Sequence, residues 1–299
     1  MQNSGISSAS TTDYRGAAAS ATRDRHALTG RSVRLDPRID PVRPDLTDLR
    51  LADRVFAPHY AAASARTALT MAPLRETSAK GAAVLSELLP GDSFDLLELS
   101  AGMAWGRSLT DGLVGYVDED ALGEAVEATH RVVAREAALR EAPDADAAAL
   151  ATLPMGSRLT ALGERGAFLL TDHGYVAADA VASVEASDPA GVTAAALRLL
   201  SAPERVGGRS GAGVDGTGFI FLAHDVAGVV IPRLPDLIAA TLTPGSGTPA
   251  AGDVVMFADH LAIMVDAVSA VHVEGKVMRE RLSTLVERHG APVSFGKAA

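Results

Sequence analysis

The sequence predicts an α+β protein in which two small all-β barrels precede a larger domain of helices and an antiparallel sheet. Three observations predict this architecture. Turn residues recur about every 8 to 12 positions in the middle of the chain, which is typical of short antiparallel strands. The motifs of that region occur twice. Apolar residues then adopt helical spacing after residue 188, and strand-like runs follow them, which favours an α+β domain.

Composition limits the function classes. The chain has 299 residues, enough for two or three small domains. A net charge of −10 without a Lys/Arg cluster disfavours nucleic-acid binding, which depends on clustered cations. The absence of cysteine excludes disulfides and thiolate chemistry. The sequence has neither a run of about 18 apolar residues nor a secretory h-region, so we expect a cytoplasmic protein that does not contact the membrane.

The N-terminal part divides into an arm and a lead-in segment. Residues 1–37 are rich in Ala, Ser, Thr and Arg without apolar period, so a disordered arm is expected. Residues 38–59 begin with several helix-breaking prolines and continue with spaced leucines. We expect this second stretch to pack against the first barrel.

An internal repeat defines the two barrels, which should span residues 60–123 and 130–186. Leu74-Arg75-Glu76 recurs as Leu139-Arg140-Glu141 at a spacing of 65 residues, and Gly91 recurs as Gly156 at the same spacing. Gly115-Tyr116-Val117 recurs with a spacing shorter by six, which one loop deletion explains.

The repeated pattern resembles that of bacterial SH3-like domains. It consists of an opening Leu-Arg, a central glycine turn, Trp-Gly and Gly-Tyr-Val. The first copy contains Trp105-Gly106, whereas the second has only Phe168 near that place. Trp105 and Tyr116 either pack in the barrel or face a ligand, and Tyr116 is retained as a candidate substrate-binding residue.

Residues 188–299 form the predicted α+β domain. Val192, Ala195, Ala196 and Leu199 recur at helical spacing, and Pro203 ends that helix. A glycine-rich loop and a second helix from Thr217 to about Ala227 follow, and then three strand-like runs. These runs cover residues 253–257, 260–265 and 270–273.

This last domain resembles the NlpC-type, papain-like family of bacterial cell-wall peptidases, and tandem SH3-like domains precede it in a subgroup of that family. Five short motifs of the family pattern occur here in the same order. They are residues 203–208 (Pro-Glu-Arg-Val-Gly-Gly), 215–218 (Asp-Gly-Thr-Gly), 252–257 (Gly-Asp-Val-Val-Met-Phe), 260–263 (His-Leu-Ala-Ile) and 271–273 (Val-His-Val).

The resemblance implies a cysteine nucleophile at position 216, a base at His260 and an orienting His272. Gly216 stands at the cysteine position and has no side chain to attack with. A helix N-terminus and a nearby imidazolium would make a thiolate there reactive. Thr217 should point about 100° away, so it is expected to cap the helix rather than replace the thiol.

Other positions near the expected cleft also depart from the family pattern. Glu204 and Val206 replace the tyrosine and tryptophan that the resemblance implies for substrate contact and packing. Asp215 is retained, and the resemblance implies that it holds the free amine of the substrate. Thr217 and Glu204 join Asp215 as candidate substrate-binding residues. Strand alternation directs Leu261, Ile263 and Val265 to the core and His260 to the cleft.

Two further motifs do not indicate cofactor or metal sites. Residues 211–216 match a dinucleotide-binding fingerprint, but a helix and a proline turn precede them instead of a strand. Asp259, His260 and His272 could in principle bind a metal, but no further residue supplies a firm ligand at a spacing that fixes the geometry of a site.

His224 lies on the apolar helix and is expected to be a core or edge histidine. We therefore expect neither a cofactor nor a metal.

The leading hypothesis is an inactive homologue of a D-glutamyl-diamino acid endopeptidase that binds a peptidoglycan peptide, a muropeptide or a protein partner. Two alternatives stay open. The chain is either an active cysteine-peptidase-like hydrolase whose glycine is a sequence change, or a structural scaffold that binds no peptide. Cleavage by the Gly216→Cys variant would favour the first alternative, and a flat calorimetric titration would favour the second.

Overall fold

The computed structural model describes residues 34–298. The arm expected over residues 1–37 therefore lies outside the described residues except for its last four positions. The described chain from Leu35 onward forms one compact unit. Among the described residues, no helix has the length and apolar character needed to cross a bilayer.

The lead-in segment packs on the first barrel, as expected. It contains β1 (Leu46–Asp48) and a 3₁₀ turn at Leu49–Leu51, and it ends at the start of β2 (His59–Ala61), which pairs with β1 in parallel. Leu46 and Ala61 contact the cluster around Trp105. The guanidinium of Arg43 lies 4.3 Å from the centre of the Trp105 ring. The lead-in segment thus covers the outer face of this barrel.

The first barrel is a seven-stranded sheet in the order β5-β4-β8-β7-β6-β3-β9. Its core contains fully buried Leu74, Leu88 and Phe94. A 3₁₀ turn at Glu119–Ala121 leads into its last strand. The strands are β3 (Ser64–Ala68), β4 (Ala72–Arg75), β5 (Val84–Leu88), β6 (Ser93–Ser100), β7 (Met103–Ser108), β8 (Val114–Asp118) and β9 (Leu122–Glu124).

The second barrel combines a five-stranded sheet, β12-β11-β16-β15-β14, with a three-stranded one, β13-β10-β17. A 3₁₀ turn at Ala178–Ala180 again precedes the last strand. The strands are β10 (His130–Val132), β11 (Glu136–Arg140), β12 (Ala149–Pro154), β13 (Arg158–Leu159), β14 (Ala161–Arg165), β15 (Phe168–Thr171), β16 (Gly174–Ala177) and β17 (Val181–Ser183).

The register of the two barrels reproduces the sequence repeat. Arg75 pairs with Tyr116 in the first barrel, and Arg140 pairs with Tyr175 in the second. Gly91 and Gly156 both adopt a left-handed conformation, with φ of 83° and 90°. A Cβ at Gly91 would lie 2.0 Å from the backbone oxygen of Arg158, so this turn requires glycine.

The C-terminal domain contains four helices and a six-stranded antiparallel sheet in the order β20-β25-β21-β22-β23-β24. A short hairpin, β18 (Arg209–Ser210) with β19 (Gly213–Val214), precedes the second helix. The helices are α1 (Gly191–Arg198), α2 (Gly216–Val226), α3 (Pro235–Thr241) and α4 (Leu282–His289). The sheet strands are β20 (Thr243–Pro244), β21 (Val254–Met256), β22 (Leu261–Met264), β23 (Ser269–Glu274), β24 (Lys276–Arg281) and β25 (Ser294–Lys297).

The sheet is buried on both faces. Ile263 and Val271 pack in the large core formed with α1 and α2, and Leu261 and Val265 contact that core from its edge, as alternation predicts. On the other face, to which the sequence assigned His260, a second core forms in which Ala262 packs beneath α4. Sequence reasoning missed α3, α4 and the strands β20, β24 and β25.

A buried ionic network joins the two barrels and the C-terminal domain. Arg209 of β18 is fully buried and forms an ion pair with Asp92 of the first barrel. Arg158 of the second barrel lies 2.9 Å from the same carboxylate and 2.7 Å from Asp225 of α2. The backbone oxygen of Glu87 accepts a further hydrogen bond of 2.7 Å from Arg209 Nε. Each of the three domains therefore contributes charge to one junction.

Candidate functional site

Asp215 begins α2 as its N-cap. Its Oδ1 accepts a hydrogen bond of 2.6 Å from the backbone N–H of Gly218, and its Oδ2 accepts one of 2.8 Å from Gly207. Thr217 was expected to cap the helix, but its hydroxyl donates to Asp215 at 3.1 Å. A residue in extended conformation just before the helix is better placed to reach the free N–H groups than one inside the first turn.

Arg233 neutralises this capping carboxylate. Its side chain is 2% exposed, and its Nη2 lies 2.9 Å from Asp215 Oδ1. Its Nη1 donates to the Thr217 hydroxyl. Asp215 thus has a cation, a hydroxyl and two backbone N–H groups as partners. A ligand amine would have to compete with the buried guanidinium for this carboxylate.

Gly216 is the first residue of α2 and adjoins open space. A Cβ built at this position meets no atom within 4 Å. A β-carbon would therefore fit here without moving the described residues. Position 216 lacks a nucleophile because it is a glycine, and not because neighbouring atoms would exclude a β-carbon.

His260 and His272 form a hydrogen-bonded pair, although they are separated by eleven residues in the sequence. His260 Nε2 and His272 Nδ1 are 2.9 Å apart. His260 directly precedes β22, and His272 lies in β23 opposite Ala262. The β22–β23 hairpin, on which α2 packs, thus brings the two predicted histidines together.

Glu280 of β24 favours one arrangement of protons in this pair. His272 is fully buried, and its Nε2 lies 3.4 Å from Glu280 Oε2 without a completed hydrogen bond. A carboxylate only accepts, so it favours a proton on His272 Nε2. His272 Nδ1 then accepts from His260, and Nδ1 of His260 is left as the acceptor of the pair.

Both histidines are held neutral. Burial, followed by the nearby His289 and His272, lowers the pKa of His260 to about 4. Burial also lowers the pKa of His272, and the nearby Glu280 opposes that effect. Uncharged imidazoles cannot stabilise a neighbouring anion as an imidazolium would.

His289, the last residue of α4, stacks on His260. The two rings are parallel to within 4°, with centroids 4.2 Å apart. His289 Nδ1 lies 3.2 Å from Asp259 Oδ1. Sequence reasoning missed His289, Glu280 and Arg233, since no motif marks any of them. Within residues 34–298, no group of three or more His, Asp or Glu side chains is placed to hold a metal ion.

Glu204 and Tyr116, two other candidate residues, have structural partners. Glu204 Oε2 accepts a hydrogen bond of 2.7 Å from the backbone N–H of Gly275, which supports the β23–β24 turn. The Tyr116 hydroxyl accepts a hydrogen bond of 3.0 Å from Arg43, and the ring packs beside Trp105. The packing interpretation of Tyr116 thus agrees with the structure, and its contacts lie with the lead-in segment.

His224 is a core residue, as expected. It is 1% exposed, and its Nδ1 lies 2.7 Å from the backbone oxygen of Ile220 within α2. Burial lowers its pKa. This histidine therefore takes no part in the pair formed by His260 and His272.

Comparisons with known proteins agree with this architecture. Residues 74–122 match the family model described as the bacterial dipeptidyl-peptidase SH3 domain. No curated protein sequence matches the chain. An NlpC/P60 family protein from Bacillus cereus ATCC 10987 is similar in structure, with a TM-score of 0.67 and 15% identity over 79% of this chain and 99% of that one.

A second solved structure supports the same fold. It is described as a novel NlpC/P60 endopeptidase from Photobacterium damselae subsp. piscicida. Its TM-score is 0.52 at 11% identity, and the match covers 79% of this chain and 72% of that one. The chain therefore has the fold of the NlpC/P60 proteins, with a bacterial SH3 domain in its N-terminal part and a glycine at the first position of α2.

Proposed function

We propose that this chain is a non-catalytic protein of the NlpC/P60 fold that recognises a cell-wall peptide fragment at the start of α2. One observation carries the proposal, namely that the first residue of α2 is Gly216, beside open space. A peptidase of this kind attacks with a thiolate, and its loss leaves only the background from positioning. Recognition does not require that thiolate.

Two further features weigh against bond breaking. Asp215 is paired with Arg233. The pKa of His260 is lowered to about 4, so this imidazole is neutral near pH 7 and is a weak base toward a thiol. A cysteine at position 216 would therefore still stand beside an Asp215 that is paired with Arg233, and it would still depend on a His260 whose pKa is lowered.

The test uses the tripeptide L-Ala-D-Glu-diaminopimelate and the full chain. Cleavage is followed by mass spectrometry, and binding by calorimetry. We expect binding without cleavage from the natural chain. The Gly216→Cys variant should bind similarly and cleave weakly, because Asp215 and His260 keep their present partners. Cleavage by the natural chain that disappears in a His260→Ala variant would overturn the proposal.

A flat titration with the tripeptide and with larger muropeptides would exclude wall-peptide recognition. A protein partner or a scaffold role would then replace it. Efficient cleavage by the Gly216→Cys variant alone would instead show that the site is a peptidase site apart from its one missing sulfur atom.

A further inference from the structure

A second cleft, of about 700 Å³, lies between the two barrels. One wall is formed by residues 67–71 of the first barrel, and the other by β12 of the second. Pro90 and Arg158 also line it. The start of α2 contributes no residue to this cleft. It is therefore separate from the site described above.

Exposed apolar side chains gather in this cleft. Leu69, Met71, Val126 and Leu150 line it, and they are 58%, 44%, 47% and 56% exposed. Scattered exposed apolar residues are normal on a protein surface, but a contiguous group marks a contact surface. The two barrels thus present a shared apolar surface that their own packing does not cover.

Strand β12 forms the edge of its sheet. Among residues 34–298 it pairs with β11 alone, and it stands last in its sheet. Its sequence, Ala-Leu-Ala-Thr-Leu-Pro, contains no charged residue, and its first four residues are exposed. Edge strands usually carry charges or bulges that prevent pairing with another chain. Within the described residues β12 has two such features, a register irregularity between Ala149 and Ala151 and Pro154 at its end, and Thr152 keeps its regular pairing with Ala138.

The register identifies a free backbone group on this edge. The N–H of Met155 donates to the oxygen of Arg135 at 3.0 Å, which places Leu153 and Ala151 at the positions bonded to β11. Thr152 lies between them, so its N–H and C=O point away from β11. Ala151 and Thr152, whose side chains point to opposite faces of the sheet, both line the cleft. The edge of β12, rather than one face of it, therefore borders the cleft.

The charge of the cleft is negative. Glu124 and Asp172 line it, and Asp172 is 49% exposed beside His173, whose Nε2 lies 3.5 Å from Asp172 Oδ2. Arg158 lines it too, but its guanidinium is bound by Asp92 and Asp225. A partner that carries Lys or Arg would complement the two acidic side chains.

We propose that this cleft binds an extended segment of a partner protein, which adds to β12 as a further strand. The backbone of such a segment bonds to Thr152, which supplies affinity without sequence preference. Alternate apolar side chains contact Leu69, Val126 and Leu150. A Lys or Arg of the segment faces Glu124 and Asp172, which supplies selectivity.

The test begins with a phage-displayed library of random twelve-residue peptides, selected on the full chain. Enriched peptides should alternate apolar and polar residues and contain Lys or Arg. Their binding is then measured by fluorescence anisotropy. The Thr152→Pro variant, which removes the outward N–H, should bind at least about tenfold more weakly. The matched Thr152→Val variant keeps that N–H and should bind within about twofold of the natural chain.

Two further arms make the result decisive. A Glu124→Gln/Asp172→Asn variant should lose affinity for the cationic peptides and also lose the salt dependence of binding. Should Thr152→Pro fail to fold, the same peptides N-methylated at alternate residues delete the hydrogen bonds without changing the protein. The affinity of the N-methylated peptides for the natural chain should fall by about the same factor as expected for Thr152→Pro, at least about tenfold.

Three outcomes would overturn the proposal. One is that no peptide is enriched, and another is that enriched peptides bind Thr152→Pro and the N-methylated series shows no loss. The third is that the chain forms a dimer that Thr152→Pro dissociates. That result would assign the β12 edge to a second copy of the chain rather than to a partner peptide.

Discussion

At the scale of single residues, three residues set the chemistry at the start of α2. Gly216 leaves open space where a nucleophile would stand. Arg233 pairs with the capping carboxylate of Asp215, so the net charge of that pair is zero. Gly216 thus offers no side chain, and the carboxylate of Asp215 is already paired.

His260 provides a prediction on pH. Burial and the neighbouring His289 and His272 lower its pKa to about 4. The His289→Ala variant removes one of these neighbours and opens the ring to water, so the pKa of His260 should rise toward its ordinary value of about 6.5. NMR titration of the His260 ring protons measures both values. A natural chain in which His260 titrates near 6.5 would contradict this account.

The same shift links stability to pH. Between about pH 6.5 and pH 4 the unfolded chain binds a proton at His260 that the folded chain does not. The free energy of unfolding should therefore fall as the pH falls through this window. The stabilisation that His260 contributes should be complete above about pH 6.5. Urea unfolding at several pH values measures the slope. The His260→Gln variant is the control, and its slope should be smaller.

At the scale of elements, the hairpin β18–β19 and helix α2 act as one unit. The hairpin places Asp215 just before the helix, where its carboxylate bonds to Gly207 on one side and Gly218 on the other. A single side chain thereby fixes both the loop and the helix start.

The capping role of Asp215 can be measured. The Asp215→Ala variant removes the cap and leaves the buried Arg233 without its carboxylate, so it should lower the free energy of unfolding by about 2–4 kcal/mol. The Thr217→Ala variant removes a hydroxyl that contacts Asp215 and Arg233, and it should cost about 1 kcal/mol. Urea unfolding compares the two. A larger loss for Thr217→Ala would restore the threonine as the cap.

At the scale of the whole molecule, Asp92 is the centre of the domain junction. It binds Arg209 of the C-terminal domain and Arg158 of the second barrel, and Arg158 continues to Asp225 on α2. Leu89 N and the Thr110 hydroxyl donate to the same carboxylate at 2.7 and 2.9 Å. A carboxylate with this many partners holds the domains in one arrangement.

The junction predicts strong coupling between residues far apart in sequence. Asp92→Ala leaves two guanidinium groups without their shared partner and should cost about 3–5 kcal/mol. Arg209→Ala should cost a similar amount, and the double variant should cost less than the sum by more than about 1 kcal/mol. Urea unfolding of the four proteins measures this coupling. Strict additivity would show that the pair does not hold the domains together.

The sequence alone determined the order of the parts. The 65-residue repeat predicted two barrels, and the structure gives them equivalent turns at Gly91 and Gly156. Helical spacing followed by strand-like runs predicted the α+β domain. These features are local, because turn residues and periodicity act within about ten residues of the chain.

Tertiary structure alone decided how the site is completed. Arg233, His289 and Glu280 carry no local signal, yet they neutralise Asp215, stack on His260 and lie beside His272. The junction depends on a hydrogen bond between residues 117 positions apart. Such contacts arise only when distant elements pack, and the burial that packing produces lowers the pKa of His260 and His272.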